Sequence, residues 1–387
     1  LNWLVFSVVQ GFAQGFSILM AQHFGAKDYR ELSRTIGASA TLCGIAAVGM
    51  LVLSQVFAQP VLRLLNTPDD IIGSSLLYLG IPIITAYNLL ASILRALGDS
   101  KTPLYAVVVA TIVNICLDLL FVLVFHWGIA GAAGATIIAQ AVSTVYCYIN
   151  VRRVSIIQLH PGDFKLTRAL SGALLKLGSP VALQNAIISA GGMAVQSVVN
   201  RYGMLFIAGF TATNKLYGLL EIAATSYGYA VTSFVGQNLG GGLFSRIRKG
   251  MRSAAVIALI TSAVITVSML LLGKLFLGLF ISGTPEEVSA SMDIAYKYLA
   301  IMSLCLPVLY MLHIYRSALM GLGDTVVPMI SGFVEMVMRV GIAMLLPLVL
   351  ADGIYYAEVG AWTGAALLLT LAYFVRMRKY PSGDRKV

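Results

Sequence analysis

The sequence predicts an all-α polytopic membrane protein built from two six-helix lobes, with eleven of the helices present in this chain. Hydrophobic residues make up 59% of the 387 residues and charged residues only 11%, against about 25% charged residues in a typical soluble domain. The hydrophobic residues form long runs, and two short motifs recur in the second half. A large apolar soluble protein is the alternative, but such a protein needs more polar residues to cover its surface.

The hydrophobic runs are long enough to be membrane-spanning helices. Each is near or above the roughly 20 residues that a helix needs to cross a hydrocarbon core of about 30 Å. They are too long for barrel strands and lack their alternating pattern, so helices are the remaining way to satisfy the backbone in lipid. The runs cover 1–22, 37–65, 71–97, 102–127, 129–151, 169–200, 204–238, 253–281, 290–322, 325–350 and 354–375.

The basic residues indicate how the chain is oriented. Of the 26 Lys and Arg residues, 20, including Arg30, Arg152 and Arg316, are assigned to the tail or to the loops that follow odd-numbered runs. This is the positive-inside pattern, which places those loops and the C-terminus in the cytoplasm. We therefore expect a multi-pass protein of the bacterial inner membrane. The net charge of +10 orients the protein, and no nucleic-acid partner is expected.

Two motifs recur in the same order and at nearly equal separations along the chain. AQHFGAKDYRELSR (21–34) resembles GQNLGGGLFSRIRK (236–249), and LGDSKTP (97–103) resembles LGDTVVP (322–328). All four stretches enter basic cytoplasmic loops, so the halves are parallel repeats related by a pseudo-twofold axis along the membrane normal. The motif residues are Gln22, Gly25, Gln237, Gly240, Gly98, Asp99, Gly323 and Asp324.

The repeat divides the chain. We expect an N-terminal lobe at 1–151, a cytoplasmic linker at 152–176, a C-terminal lobe at 177–375 and a basic cytoplasmic tail at 376–387. Two runs precede Gln237 within its half, whereas one run precedes Gln22. We therefore expect that the first helix of the first lobe is missing and that the complete protein has six plus six helices.

The motif residues have local explanations. Glycine after a helix accepts the left-handed backbone of a C-cap, and aspartate can cap the free amides of the helix that follows. Proline at the start of that helix costs no hydrogen bond. Tight cytoplasmic turns therefore account for these motifs, and a role of the turns in gating is the alternative.

Ionisable residues inside the runs are candidates for ion coupling, because a charge in hydrocarbon normally faces a bundle interior or a watery cavity. Glu221 and Asp118 are the preferred candidates, since a lone buried carboxylate can bind and release a proton. Glu335 and Arg339 lie four residues apart on one helix face. They are further candidates, with a static buried pair as the alternative.

Polar amides inside the runs suggest a substrate cavity, because amides offer donors and acceptors without the cost of a full charge. Hydrogen bonds between packed helices are the alternative for each of them. The cavity candidates, including one lysine, are Asn88, Asn114, Gln184, Asn185, Gln196, Asn200 and Lys215. No catalytic set, metal-ligand spacing or nucleotide-binding motif is present, so we expect no enzyme activity, no metal and no cofactor.

Several stretches resemble the multidrug and toxic compound extrusion (MATE) family. They are FVGQNLGGGLFSRIRKG (234–250) with its copy at 21–34, ILRALGDSKTPLYAVVVATIVNICLD (93–118) and YRSALMGLGDTVVPMISGFVEMVMRVG (315–341). GSPVALQNAIISAGGMAVQSVVNRYG (178–203) is similar to the start of the second lobe in the DinF-like bacterial branch.

The resemblance implies two lobes around a central cavity and export of organic cations or other amphipathic toxins, by antiport through alternating access. It implies coupling to protons or sodium. The stretch LQNAIIS (183–189) lacks the glutamate of the sodium-type branch, so a proton is the preferred coupling ion. Small amphipathic or cationic substrates and membrane lipids are the expected partners, and the protein is expected to be a monomer. The alternatives are a lipid-linked oligosaccharide flippase of the wider superfamily and a non-transporting receptor or channel.

Overall fold

A computed structural model describes residues 2–64, 80–350, 352–381 and 383–384. This part of the chain is helical and contains no strand, which confirms the predicted all-α class. The start of the predicted run 71–97 and the tail residues Arg385 and Lys386 lie outside the described residues.

The helices are α1 (Asn2–Gly25), α2 (Tyr29–Leu64), α3 (Ile81–Ala96), α4 (Lys101–Asp118), α5 (Gly128–Arg152), α6 (Arg168–Val199), α7 (Met204–Gly240), α8 (Phe244–Leu277), α9 (Pro285–Leu304), α10 (Leu306–Gly321), α11 (Val326–Leu345) and α12 (Ala357–Met377).

The predicted run 290–322 forms two helices, α9 and α10, which meet at an angle of 50°. Pro307 has no N–H to donate to the carbonyl of Ser303 and its ring is crowded against that turn, so a straight helix cannot pass through this point. The freed Ser303 carbonyl accepts a hydrogen bond from Thr266 Oγ1 on α8 at 2.6 Å. The neighbouring helix thus supplies the hydrogen-bond donor that the carbonyl at the break lacks, as apolar surroundings require.

Many of the described helices are suited to lipid. Seven are long and apolar enough to span a bilayer, or eight if α9 and α10 form one bent span, while α3 is a shorter apolar helix. Helix α4 and the turn after it bury only 6% of their most apolar stretch inside the protein, and Ile112, Leu119 and Leu123 are more than half exposed. Such a surface is far larger than soluble monomers expose and fits the hydrocarbon of a membrane.

The chain forms two compact units, Leu1–Leu183 and Gln184–Val387. The first unit is built around buried residues of α1, α2 and α3, among them Phe16, Leu32 and Leu94. The second unit is built around a larger core that includes Tyr298, Tyr310 and Trp362. The lobe, linker and tail bounds given above remain predictions.

The repeated motifs form the same helix ends in both units. After α1, backbone hydrogen bonds run from Ala26, Lys27 and Asp28 to the carbonyls of Gln22, Phe24 and His23. Three equivalent bonds, at the positions that the motif aligns, close α7. Lys27 and Gly242 hold the left-handed position, with φ of 58° and 70°. Both ends are Schellman caps, which satisfy the last carbonyls of a helix.

The Gly-Asp motifs also close their helices alike. In the first unit the N–H of Asp99 bonds to Leu94 across the end of α3, and in the second the N–H of Asp324 bonds to Leu319 across the end of α10. Gly98 and Gly323 take φ of 92° and 81°. The side chain of Asp99 accepts from the amides of Lys101 and Thr102, so it caps α4.

Candidate functional site

The second unit contains a buried network of charged side chains from three helices. Arg316 on α10 contacts Glu335 on α11. Arg339, one turn further along α11, lies 2.8 Å from a carboxylate oxygen of Glu358 on α12 and 4.0 Å from Glu335. The side chains are 4–14% exposed. Two guanidinium groups and two carboxylates therefore balance each other, as buried charges require.

The sequence located only part of this network. The i, i+4 spacing placed Glu335 and Arg339 on one face, but Arg316 was assigned to a cytoplasmic loop. This assignment is wrong, because α10 continues to Gly321 and Arg316 is 8% exposed inside it. The Leu-Gly-Asp motif at 322–324 marks that helix end and places Arg316 more than one turn before it, so the sequence did contain a signal.

Glu221 lies beside this network and has no guanidinium partner among the described residues. It is on α7, and its Oε1 is 3.8 Å from Nε2 of His313 on α10. Its side chain is 40% exposed and the imidazole is 14% exposed. Glu335, Arg339 and Glu358 are within electrostatic range of it. Lys215, on the same helix, instead has its Nζ 5.9 Å from the centre of the Phe280 ring.

The first unit contains polar atoms around a cavity of about 110 Å³ between α3, α4 and α5. Asn114 Nδ2 and Gln140 Oε1 border this space and are buried without a hydrogen-bond partner in the described part of the chain. Buried polar atoms without a partner are rare in folded proteins and usually have a functional reason. The residues that line the cavity are Tyr87, Val107, Ala110, Thr111, Asn114, Thr136, Ala139, Gln140 and Ser143.

Asp118 lies one turn beyond Asn114, at the end of α4. Its Oδ1 is also buried without a partner within the ranges described. A π-helical turn, Leu119–Val124, follows it directly. Turns of this kind occur mostly as single interruptions of an α-helix and are frequent at functional sites. Asp118 is therefore an acid inside an apolar helix of the first unit that has no cationic partner in the described chain.

The remaining cavity candidates make mixed contacts. Asn88 donates to the Ile84 carbonyl of its own helix at 2.9 Å, and Gln196 donates to Asn200 on an exposed face. Gln184 is 1% exposed, both its polar side-chain atoms lack a partner in the part described, and it lies next to Gly332 on α11. Asn185 also lies on α6. The cavity role of these amides remains a prediction.

The two units thus share a chemical feature. Each contains an acid in an apolar helix without a guanidinium partner in the described chain, Asp118 in the first and Glu221 in the second. Such an acid can take up a proton or attract a cationic ligand. Within the described ranges no group of three His, Cys, Asp or Glu side chains is arranged to hold a metal ion.

Comparison with known proteins gives consistent matches along the chain. The MatE family profile matches residues 1–120 and 180–345. Probable multidrug resistance protein YpnP of Bacillus subtilis is 33% identical over 294 residues, which cover 74% of this chain and 65% of that protein. DNA damage-inducible protein F of Escherichia coli is 26% identical over 257 residues, 64% of this chain and 56% of that protein. The chain thus spans about two thirds or less of the length of these relatives.

Solved structures show the same fold. The outward-facing structure of a multidrug resistance MATE family transporter of the MOP superfamily matches with a TM-score of 0.91. The match covers 98% of this chain and 86% of that one, at 21% sequence identity. At this identity the match shows the fold alone.

Proposed function

The chain belongs to the MatE family of membrane transporters, and from this premise we propose that it exports amphipathic organic cations by antiport against protons. No cofactor is required beyond the coupling ion. The protein acts as a monomer in the bacterial inner membrane, with its C-terminus in the cytoplasm.

One observation carries the proposal: Glu221 is the acid of the second unit left without a guanidinium partner beside a network that is otherwise balanced. With Glu335 and Glu358 neutralised by Arg316 and Arg339, ionised Glu221 leaves this group of five residues with one excess negative charge. A proton or an organic cation removes that charge. Competition between the two for one carboxylate is the simplest basis for exchanging one for the other across the membrane.

Aromatic rings near Glu221 support a cationic substrate. Tyr217, one turn before Glu221 on α7, stacks on Trp362 with ring centres 5.5 Å apart. Tyr310 on α10 donates its hydroxyl hydrogen bond to the carbonyl of Leu220. Trp362 and Tyr310 are fully buried, so the partly exposed ring of Tyr217 is the one of these three that a substrate can approach. Because ring faces attract cations, a carboxylate one turn from such a ring suits an amphipathic cation. The name of the Bacillus relative, a probable multidrug resistance protein, agrees with such substrates.

A proton suits the site better than sodium. A hard cation needs several oxygen ligands, whereas the neighbour of Glu221 in the described chain is an imidazole nitrogen. An imidazole is a good hydrogen-bond partner for a carboxyl group but a poor ligand for a hard ion. We therefore expect the proton gradient, not the sodium gradient, to drive transport.

The flippase alternative requires a positively charged surface for a lipid-linked phosphate. Arg316 and Arg339 are both neutralised by carboxylates, so neither contributes a net positive charge that would attract a phosphate. The balance of charges in the second unit thus favours cationic cargo.

The test is ethidium efflux, measured as accumulation of ethidium in the lumen of everted vesicles of cells that express the protein, because an everted membrane turns export into uptake. A pH gradient and a sodium gradient are imposed separately, and efflux is expected only with the pH gradient. Lack of cation efflux under both gradients would contradict the proposal.

The Glu221→Gln variant tests the site itself. Glutamine keeps the size and polarity of the side chain but cannot release a proton. We expect efflux to fall at least about a hundredfold at unchanged expression, the lower end of the range by which a proton-transfer group contributes to a rate. Glu287→Gln is the matched control, since Glu287 caps α9 far from this network in the sequence. Wild-type efflux by Glu221→Gln would remove Glu221 from the mechanism.

A further inference from the structure

Beside the charged network lies His313 on α10, a titratable side chain to which the proposed function assigns no role. Its Nε2 is 3.8 Å from Glu221 Oε1, and among the described residues no hydrogen bond to another group occupies the ring. The next charged residue on its helix, Arg316, is engaged with Glu335. A buried imidazole with free nitrogens beside a lone carboxylate calls for a chemical explanation.

The spacing of this pair is set by rigid contacts on both sides. Tyr310, one turn before His313, donates to the carbonyl of Leu220 at 3.3 Å. Two turns beyond Glu221, Gly228 packs so closely on Ser317 that an added Cβ would lie 2.8 Å from the Ser317 hydroxyl. Helices α7 and α10 are therefore held at short range along the segment that carries the pair. This close approach of the two helices brings the two side chains to within 3.8 Å of each other.

The ring is best placed as a hydrogen-bond acceptor. Arg316 lies one helical turn away on the same helix, and a second positive charge at that spacing is unfavourable. A neutral imidazole offers one unprotonated nitrogen. The separation of 3.8 Å between Nε2 and Oε1 is longer than a hydrogen bond, and a small side-chain rotation closes it once the carboxyl group carries a proton.

We propose that His313 accepts a hydrogen bond from the protonated Glu221 carboxyl group and thereby positions and stabilises the proton-loaded form of this acid. The inference rests on the proposed role of Glu221 as the coupling acid. His313 is a positioning residue, since it acts on the proton through Glu221. The titratable and charged groups around the pair are Tyr217 on α7, Tyr310 and Arg316 on α10, Glu335 and Arg339 on α11, and Glu358 on α12.

The test measures the protonation of Glu221 directly. Dicyclohexylcarbodiimide reacts with protonated carboxyl groups in apolar surroundings, and mass spectrometry of the purified full chain reports the labelled fraction at Glu221 as a function of pH. The variants are His313→Phe, a ring without a nitrogen, and His313→Gln, which keeps an acceptor but cannot hold a positive charge. Glu221→Gln is the blank that identifies the labelled peptide.

The labelling midpoint is the pH at which half of the Glu221 side chains are labelled. We expect this midpoint to be about one pH unit lower in His313→Phe, because a shift of that size corresponds to the free energy of one lost hydrogen bond in a partly buried site. His313→Gln should stay close to the wild type. Equal midpoints in all three proteins would overturn the inference. So would a shift to higher pH in both variants, because His313 would then act as a positive charge.

Folding and transport are read out separately. The thermal midpoint of each variant is measured in the same detergent, so that a lowered labelling midpoint in a stably folded protein cannot come from unfolding. A shifted midpoint in a protein that exports no cation would uphold the role of His313 and reject the proposed function. Cation export with unshifted labelling would do the reverse.

Discussion

At the residue scale, the central feature is the difference between paired and unpaired acids. Glu335 and Glu358 each contact a guanidinium group, whereas Glu221 contacts an imidazole. Burying a charge is costly unless another charge and hydrogen bonds compensate it. We therefore expect the paired acids to act as a structural frame and the unpaired acid to be the one that changes its protonation.

The Arg316–Glu335 pair allows a test of this division. Glu335→Gln leaves Arg316 buried with an uncompensated charge, and we expect a loss of about 3–5 kcal/mol in the free energy of unfolding. The double variant Arg316→Met with Glu335→Met removes both charges and should recover most of that loss. Thermal unfolding in detergent measures both variants. If the double variant is no more stable than Glu335→Gln, the pair is not the frame described here.

Asp163, in the predicted linker 152–176, is another buried carboxylate, and it lies outside the membrane-spanning helices. Its side chain is buried, with the residue 2% exposed. Burial by itself raises the pKa of this carboxyl group, but the backbone N–H of His160 and the guanidinium of Arg30 have a larger opposite effect. The pKa of Asp163 is therefore below its usual value. Arg30 lies 2.9 Å from Asp163. This ion pair holds the predicted linker against α2.

A depressed pKa in the folded state predicts the pH dependence of this contact. Its stabilising effect is fully present above the unfolded pKa of about 3.9 and is lost as the pH falls through the lower, folded value. We expect Asp163→Asn to lower the free energy of unfolding by about 1–3 kcal/mol at pH 7, with a difference that shrinks below about pH 4. Thermal unfolding across pH measures it, and the exposed Asp293→Asn is the control. A difference that does not depend on pH would contradict the ionic explanation.

At the element scale, the repeated helix ends follow from one physical requirement. The last carbonyls of a helix need donors, and a left-handed residue supplies them by turning the chain back on the helix. Lys27 takes this conformation where Gly242 stands in the second unit, so the hydrogen-bond pattern persists where glycine does not. The pattern of bonds, more than residue identity, is what the two units share here.

Gly323 tests this requirement. Its φ of 81° is unfavourable for a side chain, so Gly323→Ala should lower the free energy of unfolding by about 1–2 kcal/mol. Gly341→Ala is the matched control, because Gly341 is inside α11 with open space around it and alanine favours helix there by up to about 1 kcal/mol. The two variants should therefore shift the thermal midpoint in opposite directions. A neutral Gly323→Ala would show that the cap does not depend on glycine.

At the scale of the whole molecule, the charge distribution predicts how the protein is oriented and which side each loop faces. Most basic residues follow odd-numbered runs or lie in the tail, so the positive-inside rule predicts a cytoplasmic C-terminus. A fluorescent protein fused there should fold and fluoresce, whereas a periplasmic alkaline phosphatase fused there should be inactive. The opposite result would reverse the assigned orientation and the direction of transport with it.

The sequence alone was sufficient for the all-α class, the family resemblance and the repeat of the turn motifs. Hydrophobic runs and helix ends depend on local composition, which is visible along the chain. The same holds for the i, i+4 placement of Glu335 and Arg339. The break at Cys305 was also encoded locally, by Pro307, although the apolar run hid it.

The partners of the buried charges depend on contacts between helices far apart in sequence. Arg316 on α10 reaches Glu335 on α11, and Glu221 on α7 meets His313 on α10. No periodicity records such pairings, because the crossing of packed helices selects which faces touch. Composition therefore predicted acids inside apolar helices. Only the packing of α7 and α10–α12 established that Glu335 and Glu358 contact guanidinium groups whereas Glu221 contacts an imidazole.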